Sequence, residues 1–164
     1  MCHLTDDGRI FIHGGADIGP RGLTYLNDFM ELDTETMVWT RPRVTGDTIP
    51  DPRHYHSASK LGNYMVLFGG WTPKKINVLP EFIKDANEQA GGGGGMAAGQ
   101  SMCDYLYVLD TENMEWHRPS YIGTCPAKRY GTTMAFAGTH LFIIGGWDGT
   151  RPLNDTVVLE FPSN

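Results

Sequence analysis

The sequence predicts an all-β fold built from repeated four-stranded antiparallel meanders, and three observations carry that prediction. Leu32 to Pro42 reads Leu-Asp-Thr-Glu-Thr-Met-Val-Trp-Thr-Arg-Pro, and Leu109 to Pro119 repeats it at eight of eleven positions, offset by 77 residues. A diglycine closes a short apolar run three times, at Gly14-Gly15, Gly69-Gly70 and Gly145-Gly146. Glycine supplies 21 of 164 residues, with 40% hydrophobic and 20% charged residues, which suits turn-rich β structure rather than a helical bundle or a disordered tail. Self-similarity at a fixed period sets the architecture before any single motif is interpreted.

Each element follows in order. Ile10-Phe11-Ile12-His13 is a short apolar run that reads as a buried strand, and Met1 to Asp7 aligns with the strand before it. After a loop to Tyr25, Asn27 to Asp33 alternates its faces. Asp33-Thr34-Glu35-Thr36 is a turn, because Asp and Thr side chains bond nearby backbone N–H groups. Met37-Val38-Trp39 returns as its hairpin partner. Pro42, Gly46, Pro50 and Pro52 make 42–52 a connector. The second copy runs through Arg53 to Leu61, a turn at Gly62-Asn63, and Tyr64 to Phe68, then breaks for an insertion of 32 residues before Cys103, against 11 and 7 in the sister repeats. Asp104 to Asp110 and Met114 to Trp116 complete it. The third copy runs from Arg129 to Phe161 without a Trp-bearing strand. Without the insertion the period is about 55, the length of a four-stranded propeller blade.

Arg53-His54-Tyr55-His56-Ser57, Phe68-Gly69-Gly70, Asn27-Asp28 and the Trp39 and Trp116 segments together resemble Kelch repeats, of the long-repeat type with Pro-x-x-Arg at the end of each connector. The match departs at Gly131-Thr132-Thr133, at His13 and at Leu159-Glu160-Phe161. The resemblance implies a β-propeller segment in which Trp39 and Trp116 are equivalent walls between successive blades. Blade 1 is expected over about 1–42, blade 2 over about 53–119 with the insertion at 72–102, and a partial blade 3 over about 129–164. Three blades cannot close a ring, so the chain is expected either to be a piece of a longer propeller or to pair two copies into a six-bladed ring.

Composition narrows the function. A net charge of −6 without a Lys/Arg block lacks the footprint of a nucleic-acid binder. No apolar run is long enough for a membrane helix and no signal peptide is apparent. Cys2, Cys103 and Cys125 form no C-x-x-C pair and fit free thiols of a cytoplasmic protein. The family implication is a protein-recognition platform without catalysis. Its alternatives are a fragment of a Kelch-type metalloenzyme (specifier, lyase or oxidase) and a purely structural spacer.

A meander places connectors 16–26, 43–52, 71–102, 120–128 and 147–153 at one face. The candidate partner-binding residues gather there: Arg53, Tyr55, Arg129 and Tyr130 near the axis, with Trp71, Lys74, Lys75, Trp147 and Arg151 farther out. In Kelch substrate receptors the Arg at the start of the inner strand can hold acidic peptide groups, and Arg53 and Arg129 match that position. The alternative is that both brace the ring through neighbouring carbonyls or carboxylates. Leu79 to Ala90 reads as a short helix stopped by Gly91, and Gly91 to Gly99 as its tether: a recognition helix, or a tolerated surface loop. His54 and His56 share a face but lack a third ligand, Cys103 and Cys125 lack a catalytic partner, and no Lys-Ser/Thr follows Gly91 to Gly95. No metal, cofactor or catalytic residue is therefore assigned.

Overall fold

A computed structural model describes residues 2–4, 8–20, 22–46, 48–72, 100–102 and 106–162. Strands β1 (Cys2–Leu4), β2 (Arg9–Gly19), β3 (Gly22–Asp33) and β4 (Val38–Thr40) form one antiparallel sheet in chain order. The second sheet is β5 (Ser57–Leu61), β6 (Tyr64–Phe68), β8 (Leu106–Asp110) and β9 (Glu115–His117). Strand β7 (Gln100–Met102), which falls between β6 and β8 in sequence, pairs with β10 (Ser120–Ile122), which follows β9, as a separate ribbon. The third sheet has three strands, β11 (Thr133–Ala137), β12 (His140–Ile144) and β13 (Thr156–Glu160).

The strand periodicity of two explains the packing. Along β6, Met65 and Leu67 join Phe11, Phe29, Tyr107, Leu109 and Trp116 in a core between the first two sheets. Val66 and Phe68 point the other way, into a core with Leu106, Met134, Leu141 and Ile143. A strand buried on both faces reads as an unbroken apolar run, which is what Tyr64 to Phe68 is. The repeated Asp turns also form as the residues dictate. Asp33 Oδ1 accepts the N–H groups of Glu35 and Thr36 at 2.9 Å, and Asp110 Oδ1 accepts those of Glu112 at 2.9 Å and Asn113 at 3.1 Å.

The diglycines mark where one blade's backbone crosses the next. A Cβ on Gly14 would sit 2.7 Å from the Arg53 carbonyl oxygen, and one on Gly69 2.4 Å from that of Arg129. The neighbouring Gly15 and Gly70 N–H groups donate to those same two oxygens at 2.8 and 3.1 Å. Only glycine lets the backbones approach this closely.

Three features differ from the sequence reading, and a fourth lies outside the described residues. Residues 16–19 and 22–26, expected within a loop, extend β2 and β3 past the diglycine as an antiparallel arm, with the register shifting between His13 and Gly15. The arm forms because Gly19 and Gly22 face each other across a tight tip and Ala16, Asp17 and Ile18 find antiparallel partners in Tyr25, Thr24 and Leu23. Cys125 is disulfide-bonded, so the three cysteines are not all free thiols. Trp39 and Trp116 hold the same register, opposite Leu32 and Leu109, yet their surroundings are unlike: Trp116 is fully buried and Trp39 is 49% exposed. Trp116 packs edge-on against His13 and Phe29 of the preceding sheet, whereas no described sheet precedes the one that carries Trp39. Finally, the described residues contain no helix. The one expected over 79–90 lies outside them, and no described helix is long and apolar enough to cross a membrane.

Candidate functional site

The inner strands β5 and β11 are each preceded by an Arg-aromatic pair, and the structure sends the two side chains in opposite directions. Arg53 and Arg129 are each 2% exposed. Arg53 donates to the carbonyls of Gly69 at 2.8 Å and Asp51 at 3.0 Å and to the Tyr107 hydroxyl at 3.2 Å, with its guanidinium 4.7 Å from the Tyr107 ring centre. Burial holds its pKa below the ordinary arginine value. Arg129 grips Asp155 with two bonds, at 2.6 and 3.0 Å, and donates to the carbonyls of Gly145 at 3.2 Å and Ala127 at 3.1 Å. The Arg129 contact holds the Asp155 carboxyl below the usual carboxylate range. Both guanidinium groups thus tie the diglycine carbonyl of their own blade to its inner strand. This is the bracing geometry.

The aromatic residues that follow come to the surface. His54 and Trp71 exchange backbone hydrogen bonds at 3.1 and 2.8 Å, and Tyr130 and Trp147 do the same at 3.0 and 2.9 Å. These paired bridges set the rings in a continuous line. Tyr25 lies 4.9 Å from His54, His54 4.4 Å from Tyr55, Tyr55 6.4 Å from Tyr130, and Tyr130 5.5 Å from Trp71. The line crosses all three sheets, from the β3 arm to the entrance of the third blade. Tyr55 is its most accessible member at 64% exposed, and Trp147, bridged through its backbone to Tyr130, is also exposed.

Tyr55 is also strained. Its φ is 55°, a left-handed conformation that side chains with a Cβ disfavour. The third repeat carries Gly131 at the equivalent position, with φ 66°. Gly131 N–H also donates to the Tyr55 carbonyl at 2.8 Å, which ties the two turns together.

At the rim, Asp148 Oδ1 accepts from the Thr150 hydroxyl at 2.7 Å and from the N–H groups of Thr150 and Arg151 at 2.8 and 2.9 Å. Those donors lower its pKa to about 2, so the loop carries a fixed anion. Arg151, largely exposed, approaches it at 3.5 Å. Of the nine residues singled out from sequence, Tyr55, Trp71, Tyr130, Trp147 and Arg151 share this face, Arg53 and Arg129 lie beneath it, and Lys74 and Lys75 fall outside the described residues. Tyr25 and His54 were missed; His54 was legible as the repeat counterpart of Tyr130, but Tyr25 is delivered by the arm, which sequence did not foresee. His56 and His13 lie deeper, between the first two sheets.

Comparison with known proteins agrees with this architecture. The model of the KLHDC2/KLHL20/DRC7 Kelch-repeats domain matches residues 1–85 and 92–164. The chain is 33% identical over 150 residues to the human Rab9 effector protein with kelch motifs, covering 90% of this chain and 32% of that protein. It is 45% identical over 156 residues to human host cell factor 2, covering 91% of this chain and 17% of that protein. The chain therefore spans about a third or less of these relatives. The solved structure of YjhT superposes with a TM-score of 0.59 at 19% identity, over 88% of this chain and 43% of the other, a likeness of fold. With the family model matched along nearly its whole length and three in-phase meandering sheets on view, the chain belongs to the Kelch-repeat family of β-propeller proteins.

Proposed function

We propose that this Kelch segment is a protein-interaction module without catalysis of its own, and that it reads its partner through the aromatic line Tyr25–His54–Tyr55–Tyr130–Trp71 together with Trp147. One observation carries the reading: an exposed tyrosine is kept at a left-handed φ where the sister repeat uses glycine. Strain of that kind, on a rigid scaffold and at a solvent-facing tip, marks positions retained for contact rather than for stability. Aromatic side chains supply contact area at small entropic loss and dominate interface hot spots. The names of the relatives, an effector of Rab9 and a host cell factor, are consistent with association as the mode of action.

The partner's chemistry follows from what the face offers. With Arg53 and Arg129 committed to Gly69, Tyr107 and Asp155, recognition rests on ring surfaces, and Arg151 provides the peripheral cation for an acidic side chain. Tyr55→Gly tests this directly. It should raise stability by roughly 1 kcal/mol, by relieving the left-handed strain, while weakening capture of physiological partners in affinity purification. Unchanged partner recovery from Tyr55→Gly and Trp147→Ala together would remove the aromatic line from the interface.

A further inference from the structure

We propose that the β2–β3 arm is the side wall of a groove whose floor is the aromatic line, and that this groove takes an amphipathic helix of the partner. The inference rests on the reading of that line as the partner face; it adds the wall and the shape of what binds against it.

The register of the arm gathers its apolar residues. Ala16 pairs with Tyr25, Asp17 with Thr24 and Ile18 with Leu23. Paired residues share a face, and so do alternate residues along each strand. Ala16, Ile18, Leu23 and Tyr25 therefore form one face, and Asp17 and Thr24 the other. Tyr25 sets its ring 4.9 Å from that of His54 in the second blade, which fixes the direction of the apolar face: it stands over the start of the aromatic line. Ile18 is 83% exposed and Leu23 49%. An aliphatic pair so open, continuous with a run of surface rings and backed by a polar face, is an apolar patch of the kind that partners cover. From Tyr25 to the tip at Gly22 the strand rises about 10 Å.

The backbone decides the shape of the occupant. The floor offers no main-chain partner: His54 and Trp71 bond each other, Tyr130 and Trp147 do the same, and the Tyr55 carbonyl accepts from Gly131. The wall presents side chains there rather than a strand edge. An extended segment pressed into this corner would strip water from its own N–H and C=O groups without replacing those bonds, which is costly. A helix satisfies its backbone internally, and its diameter of about 10–12 Å matches the height of the wall. An apolar stripe a little over 100° wide covers a floor and a wall at once. One row of that stripe meets Ile18 and Leu23, and the other meets Tyr55 and Tyr130.

The test uses the full 164-residue chain as bait for two phage-displayed peptide libraries of about 14 residues, some four helical turns. One library fixes apolar residues at helical spacing, the other in strict alternation. Selected peptides are synthesised and titrated by calorimetry. Expected are binders from the helical library alone, with one-to-one stoichiometry. Affinity should fall at least about tenfold with Ile18→Thr and Leu23→Thr together, and likewise with Tyr55→Gly. Proline at the middle of the peptide should abolish binding. If the double variant does not fold, Ile18→Lys, at an 83% exposed position, takes its place. Binders from the alternating library alone, or from neither, overturn the proposal. Loss with Tyr55→Gly but not with the arm variants also overturns it, and leaves the aromatic line standing as the partner face. Loss with the arm variants but not with Tyr55→Gly overturns the line and the groove together. Binding that emerges only when residues 73–99 are replaced by a short linker gives the groove to this chain's own insertion. A dimer displaced by the peptide gives it to a second copy, and either result overturns the proposal.

Discussion

Mild acid should destabilise this propeller through one interface, the contact between its first two blades. His13 and His56 are buried there with ring centres 5.6 Å apart, His13 edge-on to Trp116 at 5.5 Å, and their ring nitrogens have no hydrogen-bond partner among the described residues. Burial is the leading cause that lowers both pKa values from 6.5 to about 3, and the nearby Arg53 cation adds to it. In the unfolded chain both rings titrate near the ordinary value, so the sign is determined. Stability is fully present above pH 6.5 and is lost as pH falls from there towards 3, because only the unfolded state takes up the protons. At pH 5 the loss is roughly 2 kcal/mol per ring, or about 4 kcal/mol for the pair, from 1.36 kcal/mol per pKa unit. That is a large part of the 5–15 kcal/mol typical of a domain (about 10 in round figures). Urea unfolding at pH 7.5 and pH 5 should differ in midpoint by roughly 2 M for a domain whose slope is about 2 kcal/mol/M. The repeat supplies its own control. The equivalent contact between the second and third blades uses Phe68 and Thr132, both buried. A His13→Phe, His56→Thr variant should lose nearly all the pH dependence between 7.5 and 5. An equal midpoint shift in that variant, or none in the parent, would refute the reasoning.

Other outcomes follow from the same geometry. Arg53→Ala should lower stability by about 3 kcal/mol or more, since it strands the buried Gly69 carbonyl and Tyr107 hydroxyl; unchanged melting would show that bracing is not its role. Trp116→Ala should destabilise by about 3–5 kcal/mol and Trp39→Ala by less than about 1, because one indole fills a core and the other faces solvent. Matched thermal melts of the two variants would measure the difference. Gly69→Ala should destabilise strongly, as its Cβ would overlap the Arg129 carbonyl at a left-handed φ of 70°.

Much of the fold was legible because repeats expose their own grammar. The Asp turn, the diglycine and the Trp strand recur in order. The candidate face was legible in part: the repeat located Tyr55, Trp71, Tyr130 and Trp147 together, since connectors of a meander emerge at one end. What the repeat could not supply was direction and neighbourhood. Nothing in Arg53-His54-Tyr55 says that the guanidinium turns inward to the Gly69 carbonyl while Tyr55 turns out at a left-handed φ. Nor does the spacing reveal the β2–β3 arm that brings Tyr25 to His54.

The sequence by itself determined the core of each blade: the repeated strands on either side of the diglycine, the Asp turns, and the Trp-bearing strand of the first two copies. These depend on local propensity and on a period of two, both written along the chain. Only the tertiary structure decided how equal residues differ in circumstance, because burial depends on what lies across the interface. Trp116 is sealed by the preceding sheet, whereas Trp39, at the same register, is half exposed.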